Sequence, residues 1–158
     1  MSKTDDIVPL EQQLCFSVYS AAHAFTAAYK PLLEPFGLTY PQYLVLLALW
    51  QKEGVSVKEI GARLHLDSGT LTPLLKRLQA SGYIHRGRDP ADERQLRVEL
   101  TEQGQQLRWK VAGVRQSLVC SLGVTEAPIQ ALREQVDEMT QALRAMAGKA
   151  QTAEGAGL

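Results

Sequence analysis

The chain is poor in cysteine, in clustered metal ligands and in net charge, and each shortage excludes a class of protein. Its 158 residues include only two Cys, too few for a scaffold held together by disulfides. There is no Cys-X-X-Cys pair, and His23, His65 and His85 are isolated from one another. The sequence therefore predicts no zinc site and no other cofactor.

Long hydrophobic runs and targeting signals are also missing. The longest apolar run, Tyr43–Trp50, is far shorter than the ~20 residues that span a bilayer. The first residues, Met1–Asp6, do not combine a basic segment with an apolar one, so no secretory signal is expected. With 45% hydrophobic and 22% charged residues, the composition is typical of a globular chain, and we expect a cytoplasmic protein without membrane contact.

The first half of the chain has the patterns of successive helices. Apolar residues recur every three or four positions over Leu10–Leu33, which indicates a long amphipathic helix. Thr39 with Gln42, and Ser56 with Glu59, form two capping-box patterns, and each predicts the start of a helix.

Another helix follows after a tight turn, and the sequence leaves its start open. The segment Asp67–Thr70 is typical of a helix start. Pro73, however, would lose a hydrogen bond to the Gly69 carbonyl if the helix began at Ser68. The sequence slightly favours Thr72 as the cap, with Pro73 in the first turn.

The hydrophobic period changes after Gly82. Tyr83–Arg88 has the pattern of a short strand, and Gln95–Leu100 alternates polar and apolar residues, as expected for a strand buried on one face. The polar segment Asp89–Arg94 predicts the turn between them. A short helix, a tight turn, a second helix and this two-stranded ribbon together predict a winged helix-turn-helix.

After the ribbon, Thr101 caps one predicted helix that continues to Gly123, and Thr125 caps another. These amphipathic helices and the one at Leu10–Leu33 flank the winged segment, and they are too long and too apolar for one small domain. The simplest cover for them is a second copy of the chain. We therefore expect a mainly α fold with a small β-wing, organised as a winged helix-turn-helix at 38–104, a helical dimerisation region at 8–36 and 105–147, and a flexible tail at 148–158. The alternative is a monomeric helical bundle with an incidental hairpin.

Charge is balanced overall but uneven along the chain. The 17 Lys and Arg cancel the 17 Asp and Glu, which alone argues weakly against DNA binding. Between Asp67 and Asp89, however, there are four cations and no acidic residue.

A helix in the major groove presents short polar side chains to bases and cations to phosphates. An arginine at the wing tip suits a narrow minor groove. A solvated basic face is the alternative. The candidate DNA-binding residues are Ser68, Thr70, Thr72, Lys76, Arg77, Arg86 and Arg94, with Asp92 structuring the wing turn.

The role of Cys15 stays open on the residues alone. A helical Cys is commonly a small buried hydrophobe. Polar neighbours and the phenols of Tyr19, Tyr29 and Tyr40 favour a reactive thiol instead, because phenols donate hydrogen bonds to a thiolate. Against this, no Lys, Arg or His lies within one turn of Cys15. Cys120 lies near the predicted end of a helix, where it could act as a resolving thiol.

Several segments carry a resemblance to a known family over roughly Leu10–Met146. They are Leu14–Ser20, Tyr29–Leu33 and Leu38–Tyr43, followed by Leu66–Leu78, Asp92–Arg94 and Leu100–Gly104. Together they resemble the organic hydroperoxide resistance regulators (OhrR) of the MarR family. The winged segments are typical of MarR proteins in general, whereas the Cys and Tyr pattern near the N-terminus is specific to the OhrR branch.

The resemblance implies a homodimeric repressor that binds a pseudopalindromic double-stranded operator when reduced. It implies that an organic hydroperoxide oxidises Cys15 to a sulfenic acid, with Tyr29 and Tyr40 hydrogen-bonded nearby and Tyr19 as a neighbour. Along one helix Cys15 and Tyr29 are ~21 Å apart. A Tyr29 that touches Cys15 must then belong to the other subunit, unless the helix is sharply bent.

The resemblance also extends to the second cysteine. Cys120 is similar to the resolving cysteine of the two-cysteine branch, which implies an intersubunit disulfide with Cys15. Two other functions remain alternatives: a MarR-type repressor released by a noncovalent aromatic ligand, and a thiol peroxidase. The chain lacks a thioredoxin-like strand–helix–strand pattern and has no Arg near Cys15, so we expect no enzyme.

Overall fold

The computed structural model describes residues 7–155, with side chains to residue 148, and its first helix begins later than the sequence predicts. A 3-10 turn at Leu10–Gln12 precedes α1, which spans Leu14–Leu33. The extended backbone of Gln13 separates the two, and its side-chain amide donates to the Val8 carbonyl at 2.8 Å. The predicted start at Leu10 is therefore wrong, and the first turn of α1 lies at Leu14.

The remaining elements alternate between helices and short strands. They are a 3-10 turn at Glu34–Phe36, α2 (Tyr40–Gln51), β1 (Val55–Ser56), α3 (Val57–Leu64), α4 (Ser68–Ala80), β2 (Ile84–Arg88), β3 (Leu96–Leu100), α5 (Glu102–Lys110), α6 (Val114–Leu122) and α7 (Glu126–Gly155). The chain divides into two compact units, one ending at Val114 and one starting at Arg115. The predicted fold class, mainly α with a small β-wing, is confirmed.

Both predicted capping boxes are present. The Thr39 backbone N–H donates to the Gln42 side chain at 2.9 Å at the start of α2. At the start of α3, the Ser56 backbone N–H donates to the Glu59 carboxylate at 2.9 Å, and the Glu59 N–H donates to the Ser56 hydroxyl at 3.1 Å. The Ser56 N–H and then the Lys52 ammonium lower the pKa of Glu59 to about 2.

The start of α4 differs from the favoured prediction. Asp67 is the cap, because its carboxylate accepts one hydrogen bond from the Thr70 N–H and another from the Thr70 hydroxyl, both at 2.9 Å. The predicted cap at Thr72 is therefore wrong. Pro73 lies inside the helix, and the carbonyl that it leaves without an intrahelical donor belongs to Gly69, an exposed residue. Water can satisfy that carbonyl, so the proline is tolerated.

The wing gains a third strand that the sequence pattern does not show. β2 and β3 pair antiparallel, with Ile84 opposite Leu100. β1 pairs with the other edge of β3, with Val55 opposite Val98, giving the order β1-β3-β2. A strand as short as β1 has no measurable period, which explains why the sequence predicts only two strands.

The C-terminal helices differ from the prediction in two places. The chain turns at residues 111–113 between α5 and α6, where the sequence predicts one continuous helix; Gly113 lowers the helix propensity there. α7 continues past Gly148 to Gly155, because the Lys, Ala, Gln and Glu residues that follow Gly148 are good helix formers. The tail predicted from Gly148 thus begins as helical backbone, and residues 156–158 lie outside the described part.

The core of the first unit is built from aliphatic residues of the winged helix-turn-helix and the end of α1. Burial is nearly complete, at 0–2% exposure, for Leu33, Leu46, Leu49, Ile60, Leu71, Leu75, Leu78, Ile84 and Val98. Because α2, α3, α4 and the sheet all contribute to this cluster, the wing and the second helix of the helix-turn-helix share one core.

A close backbone contact fixes the wing against α5. Gly104 lies in the first turn of α5, and a β-carbon at this position would overlap the Tyr83 carbonyl oxygen at the start of the wing. The Thr101 hydroxyl accepts from the Gly104 N–H at 3.0 Å, and the Thr101 N–H donates to the same Tyr83 carbonyl at 3.0 Å. Only glycine fits this contact.

We expect Gly104→Ala to lower the free energy of unfolding by about 2 kcal/mol or more, because backbone has to move to admit the methyl group. Chemical denaturation at a fixed protein concentration measures the change. Gly113→Ala is the matched control, since nothing lies within 4 Å of a β-carbon there. Equal stability of the two variants would contradict the close contact.

Candidate redox sensor and DNA-binding surface

Cys15 is an exposed thiol in the first turn of α1. In this chain it is therefore not the small buried hydrophobe that was one interpretation of the sequence. Tyr19 follows one turn later and is 62% exposed. Its ring lies 4.4 Å from the ring of His23 and 6.5 Å from that of Phe16. The N-terminal half of α1 thus presents a thiol and a phenol on its surface.

Tyr29 and Tyr40 form a stacked pair. Tyr29 is a buried residue near the end of α1, and its ring centre lies 4.6 Å from that of Tyr40, the first residue of α2, with 20° between the ring planes. Burial, followed by the neighbouring Tyr29, raises the pKa of Tyr40. The Tyr40 phenol is therefore protonated at neutral pH and able to donate a hydrogen bond.

The structure brings the two tyrosines together but does not bring Cys15 to them. Cys15 and Tyr29 lie near opposite ends of the same helix, and the helical rise separates them by ~21 Å. The four predicted sensor side chains therefore form two groups within one chain: Cys15 with Tyr19, and Tyr29 with Tyr40.

Cys120 is an exposed thiol near the end of α6, in the second unit. The Gln116 side-chain amide donates to its sulfur at 3.4 Å. The Arg115 guanidinium donates to both carboxylate oxygens of Glu126, at 2.8 and 2.7 Å, which lowers the pKa of Glu126. This ion pair links the first turns of α6 and α7.

Most DNA-binding candidates on α4 are accessible. Thr72 is half-buried. The other four are exposed: Ser68, Thr70, Lys76 and Arg77. The Thr70 hydroxyl donates its hydrogen to the Asp67 carboxylate, so only its acceptor lone pairs are available to a base. Hydrogen bonds from the Thr70 N–H and hydroxyl lower the pKa of Asp67, which keeps this cap ionised.

The wing turn is ordered by Asp92. Its carboxylate accepts from the Arg94 backbone N–H at 3.1 Å and from the Gln95 side-chain amide at 3.2 Å. The contact to Arg94 uses the backbone, and the Arg94 side chain is exposed at the wing tip. The Arg86 guanidinium donates to the Gln79 side chain of α4 at 2.8 Å, so Gln79 orients this cation.

Two aromatic residues that the sequence did not single out extend from the tyrosine pair along α2. The Tyr43 ring lies 5.8 Å from that of Tyr29, and the Trp50 ring lies 6.4 Å from that of Tyr43. The Trp50 indole N–H donates to the Gly104 carbonyl at 2.9 Å. The signal in the sequence is the spacing of seven residues, two helical turns, which puts Tyr43 and Trp50 on one face of α2.

A cavity of about 450 Å³ lies between the second half of α1 and the start of α2. Its lining includes His23, Thr26, Lys30, Glu34 and Tyr40. Within residues 7–155, no cluster of three or more Cys, His, Asp or Glu has a metal-binding arrangement. In the same part of the chain, no helix is long and apolar enough to cross a membrane.

Comparison with known proteins identifies transcriptional regulators. A family model described as transcriptional regulator SarA/Rot matches residues 27–110. The regulator TtmR of Methylorubrum extorquens is 53% identical over 150 residues, covering 94% of this chain and 77% of that protein. The organic hydroperoxide resistance transcriptional regulator of Bacillus subtilis is 47% identical over 114 residues, covering 72% of this chain and 78% of that protein.

Solved structures of AbfR, a protein of Staphylococcus epidermidis, are similar to the fold. Reduced AbfR bound to DNA matches with a TM-score of 0.73 and 39% identity, covering 85% of this chain and 93% of that chain. Its disulfide form matches with a TM-score of 0.62 at the same identity, covering 83% and 92%. Since these relatives span most of its length, the chain belongs to the MarR-type winged-helix transcriptional regulators, in the group of the organic hydroperoxide resistance regulators.

Proposed function

We propose that the chain is a redox-sensing repressor that binds operator DNA as a reduced homodimer and leaves it when an organic hydroperoxide oxidises Cys15. The observation that carries the proposal is the exposed thiol in the first turn of α1. An exposed sulfur is open to a dissolved oxidant, and it is the sulfur of a cysteine that reacts with peroxides.

The proposed chemistry has two steps. The Cys15 thiolate attacks the peroxide oxygen and the O–O bond breaks, which leaves a sulfenic acid on Cys15 and releases the alcohol after it takes up a proton. The thiol of Cys120 of the partner subunit then attacks the sulfenic sulfur. A disulfide forms and water leaves.

A homodimer is proposed because both ends of the chain carry apolar residues without cover. α1 exposes Leu14, Val18 and Phe25, and α7 exposes Leu132, Val136, Leu143 and Met146. In a homodimer, Tyr29 and Tyr40 of the partner subunit would complete the group that Cys15 and Tyr19 begin. The ~21 Å between Cys15 and Tyr29 along α1 supports this intersubunit arrangement.

The relatives support a redox signal. One of them is named for organic hydroperoxide resistance. AbfR is known in a reduced, DNA-bound form and in a disulfide form, and the disulfide form is less similar to this chain. To swing operator occupancy from 99:1 to 1:99, oxidation of the proposed repressor has to weaken binding by ~5.5 kcal/mol. A disulfide can produce such a loss of affinity by moving helices. It requires the Cα atoms of the two cysteines to lie within ~7 Å of each other, which constrains the helices that carry them.

For the DNA complex, we propose that α4 enters the major groove and the wing tip approaches the minor groove. The exposed Ser68, Thr70, Lys76 and Arg77 support the first contact. The exposed Arg94, on a turn ordered by Asp92, supports the second. Thr72, which is half-buried, and Arg86, which is oriented by Gln79, complete the proposed surface.

A second candidate function is a repressor released by a noncovalent aromatic ligand. The cavity of about 450 Å³ beside Tyr40 favours it, since small-molecule sites commonly have volumes of roughly 300–1,000 Å³. The two functions differ in whether Cys15 is needed.

We expect Cys15→Ser to bind operator DNA like the wild type and to stay bound after treatment with an organic hydroperoxide, because the hydroxyl is not oxidised. A gel shift before and after cumene hydroperoxide, followed by a reductant, measures this. Release of the variant by the hydroperoxide would contradict a thiol sensor and favour the ligand-responsive alternative.

We expect Cys120→Ser to be oxidised at Cys15 but to give no covalent dimer, because the resolving thiol is gone. Non-reducing electrophoresis and mass spectrometry of the sulfenic acid measure the two properties. A disulfide-linked dimer that persists in this variant would refute the pairing of Cys15 with Cys120 of the partner subunit.

We expect Arg94→Ala to weaken operator binding by about tenfold or more and to leave the dimer intact, because a cation is lost from the wing tip. If the guanidinium contacts phosphate, the slope of log affinity against log salt falls by ~0.9 for each contact. Arg133→Ala removes an exposed cation of α7 and is the matched control. Equal affinities of the two variants would show that Arg94 does not contact DNA.

A further inference from the structure

Four aromatic rings, which we call the aromatic row, link the tyrosine pair to the far end of α2. In order they belong to Tyr40, Tyr29, Tyr43 and Trp50, with ring centres 4.6, 5.8 and 6.4 Å apart. Three of the rings come from α2. The ring of Tyr29 comes from α1 and contacts the rings of both Tyr40 and Tyr43. Offset and edge arrangements of neighbouring rings are specific geometries, so displacement of one ring affects the next.

The row ends at the base of the wing. The Trp50 indole N–H donates to the Gly104 carbonyl at 2.9 Å. Gly104 contacts the Tyr83 carbonyl at the start of β2, and it is held by Thr101 at the end of β3. The Thr101 hydroxyl also donates to the Gly82 carbonyl at 2.6 Å. Trp50 is therefore connected to the residues that flank the hairpin on both sides, Tyr83 before β2 and Thr101 after β3.

A second anchor holds the wing base near the other end of α2. The Tyr83 hydroxyl donates to the Phe36 carbonyl at 2.8 Å, and Phe36 lies in the 3-10 turn that leads to Tyr40. The wing base is therefore held both at the C-terminal end of α2 and at the turn that precedes α2. The close contact between Gly104 and Tyr83 connects these two anchors. We therefore expect a tilt of α2 to reorient the wing.

We propose that Trp50 is a positioning residue that couples the tyrosine pair to the wing. Displacement of Tyr29 and Tyr40 passes through Tyr43 and the rigid α2 helix to Trp50, and the hydrogen bond to Gly104 transmits it to the hairpin. The inference rests on the proposed redox function, in which these tyrosines lie beside the oxidised cysteine. A purely structural Trp50 leads to a different expectation: lower stability with an unchanged response to oxidation.

The first experiment compares Trp50→Phe with Trp109→Phe in the full-length dimer. Phenylalanine keeps an aromatic ring but cannot donate to Gly104, whereas Trp109 is 75% exposed on α5 and lies outside the row. Fluorescence anisotropy with labelled operator gives the affinity before and after cumene hydroperoxide, and thiol titration gives the extent of Cys15 oxidation.

For Trp50→Phe we expect reduced-state affinity within about twofold of the wild type and full oxidation of Cys15, but a loss of affinity on oxidation that is about tenfold smaller. The Trp109→Phe control should respond like the wild type. An equal loss of affinity in Trp50→Phe and the wild type would overturn the coupling role. If wild type and control both keep their DNA after oxidation, the redox function itself fails.

A double-mutant cycle tests the coupling without any oxidant. We expect Tyr29→Leu to weaken operator binding of the reduced protein severalfold, and to have a much smaller effect in the Trp50→Phe background, because the connection to the wing is already broken. Equal effects in both backgrounds would refute the coupling. Thermal melts report folding, and Tyr40→Leu at a half-buried position replaces Tyr29→Leu if the latter does not fold.

Discussion

The rigidity of α1 is the constraint on which the proposed sensor depends. One continuous helix holds Cys15 and Tyr29 near its two ends, ~21 Å apart along the helical rise, so the thiol and the tyrosine pair do not meet within one chain. The uncovered apolar residues of α1 and α7 have the same implication, because both call for a second copy. In the proposed homodimer, the surface that pairs the two chains is also the surface that completes the sensor site.

Local signals in the sequence predicted much of the fold. The capping boxes at Thr39 and Ser56 and the alternation before Thr101 describe interactions between near neighbours, and all are present. The errors arise where two local signals compete, or where an element has no local signal at all. Asp67 caps α4 although Pro73 argued for a later start, since an exposed carbonyl can be satisfied by water. β1 exists through its pairing with β3, and no pattern of two residues can reveal that.

The sequence predicted which residues form the candidate site, but it did not predict how they are arranged in space. Cys15, Tyr29 and Tyr40 stand out by type, whereas their separation into two groups depends on where α1 begins and on how Tyr40 packs against it. Trp50 was missed because its contact with Gly104 joins residues far apart in the chain. Such a contact has no local signature beyond the spacing that aligns Trp50 with Tyr43 on α2.

The Asp67 cap has a consequence for discrimination among DNA sequences. Hydrogen bonds from Thr70 keep its carboxylate ionised, on the helix that carries Lys76 and Arg77. In the proposed complex, a fixed negative charge there opposes every approach to a phosphate backbone, whatever the sequence. Only a site that supplies compensating contacts offsets this repulsion. In that proposed complex, the Asp67 carboxylate and the net charge of zero would both disfavour binding to DNA that offers no specific contacts.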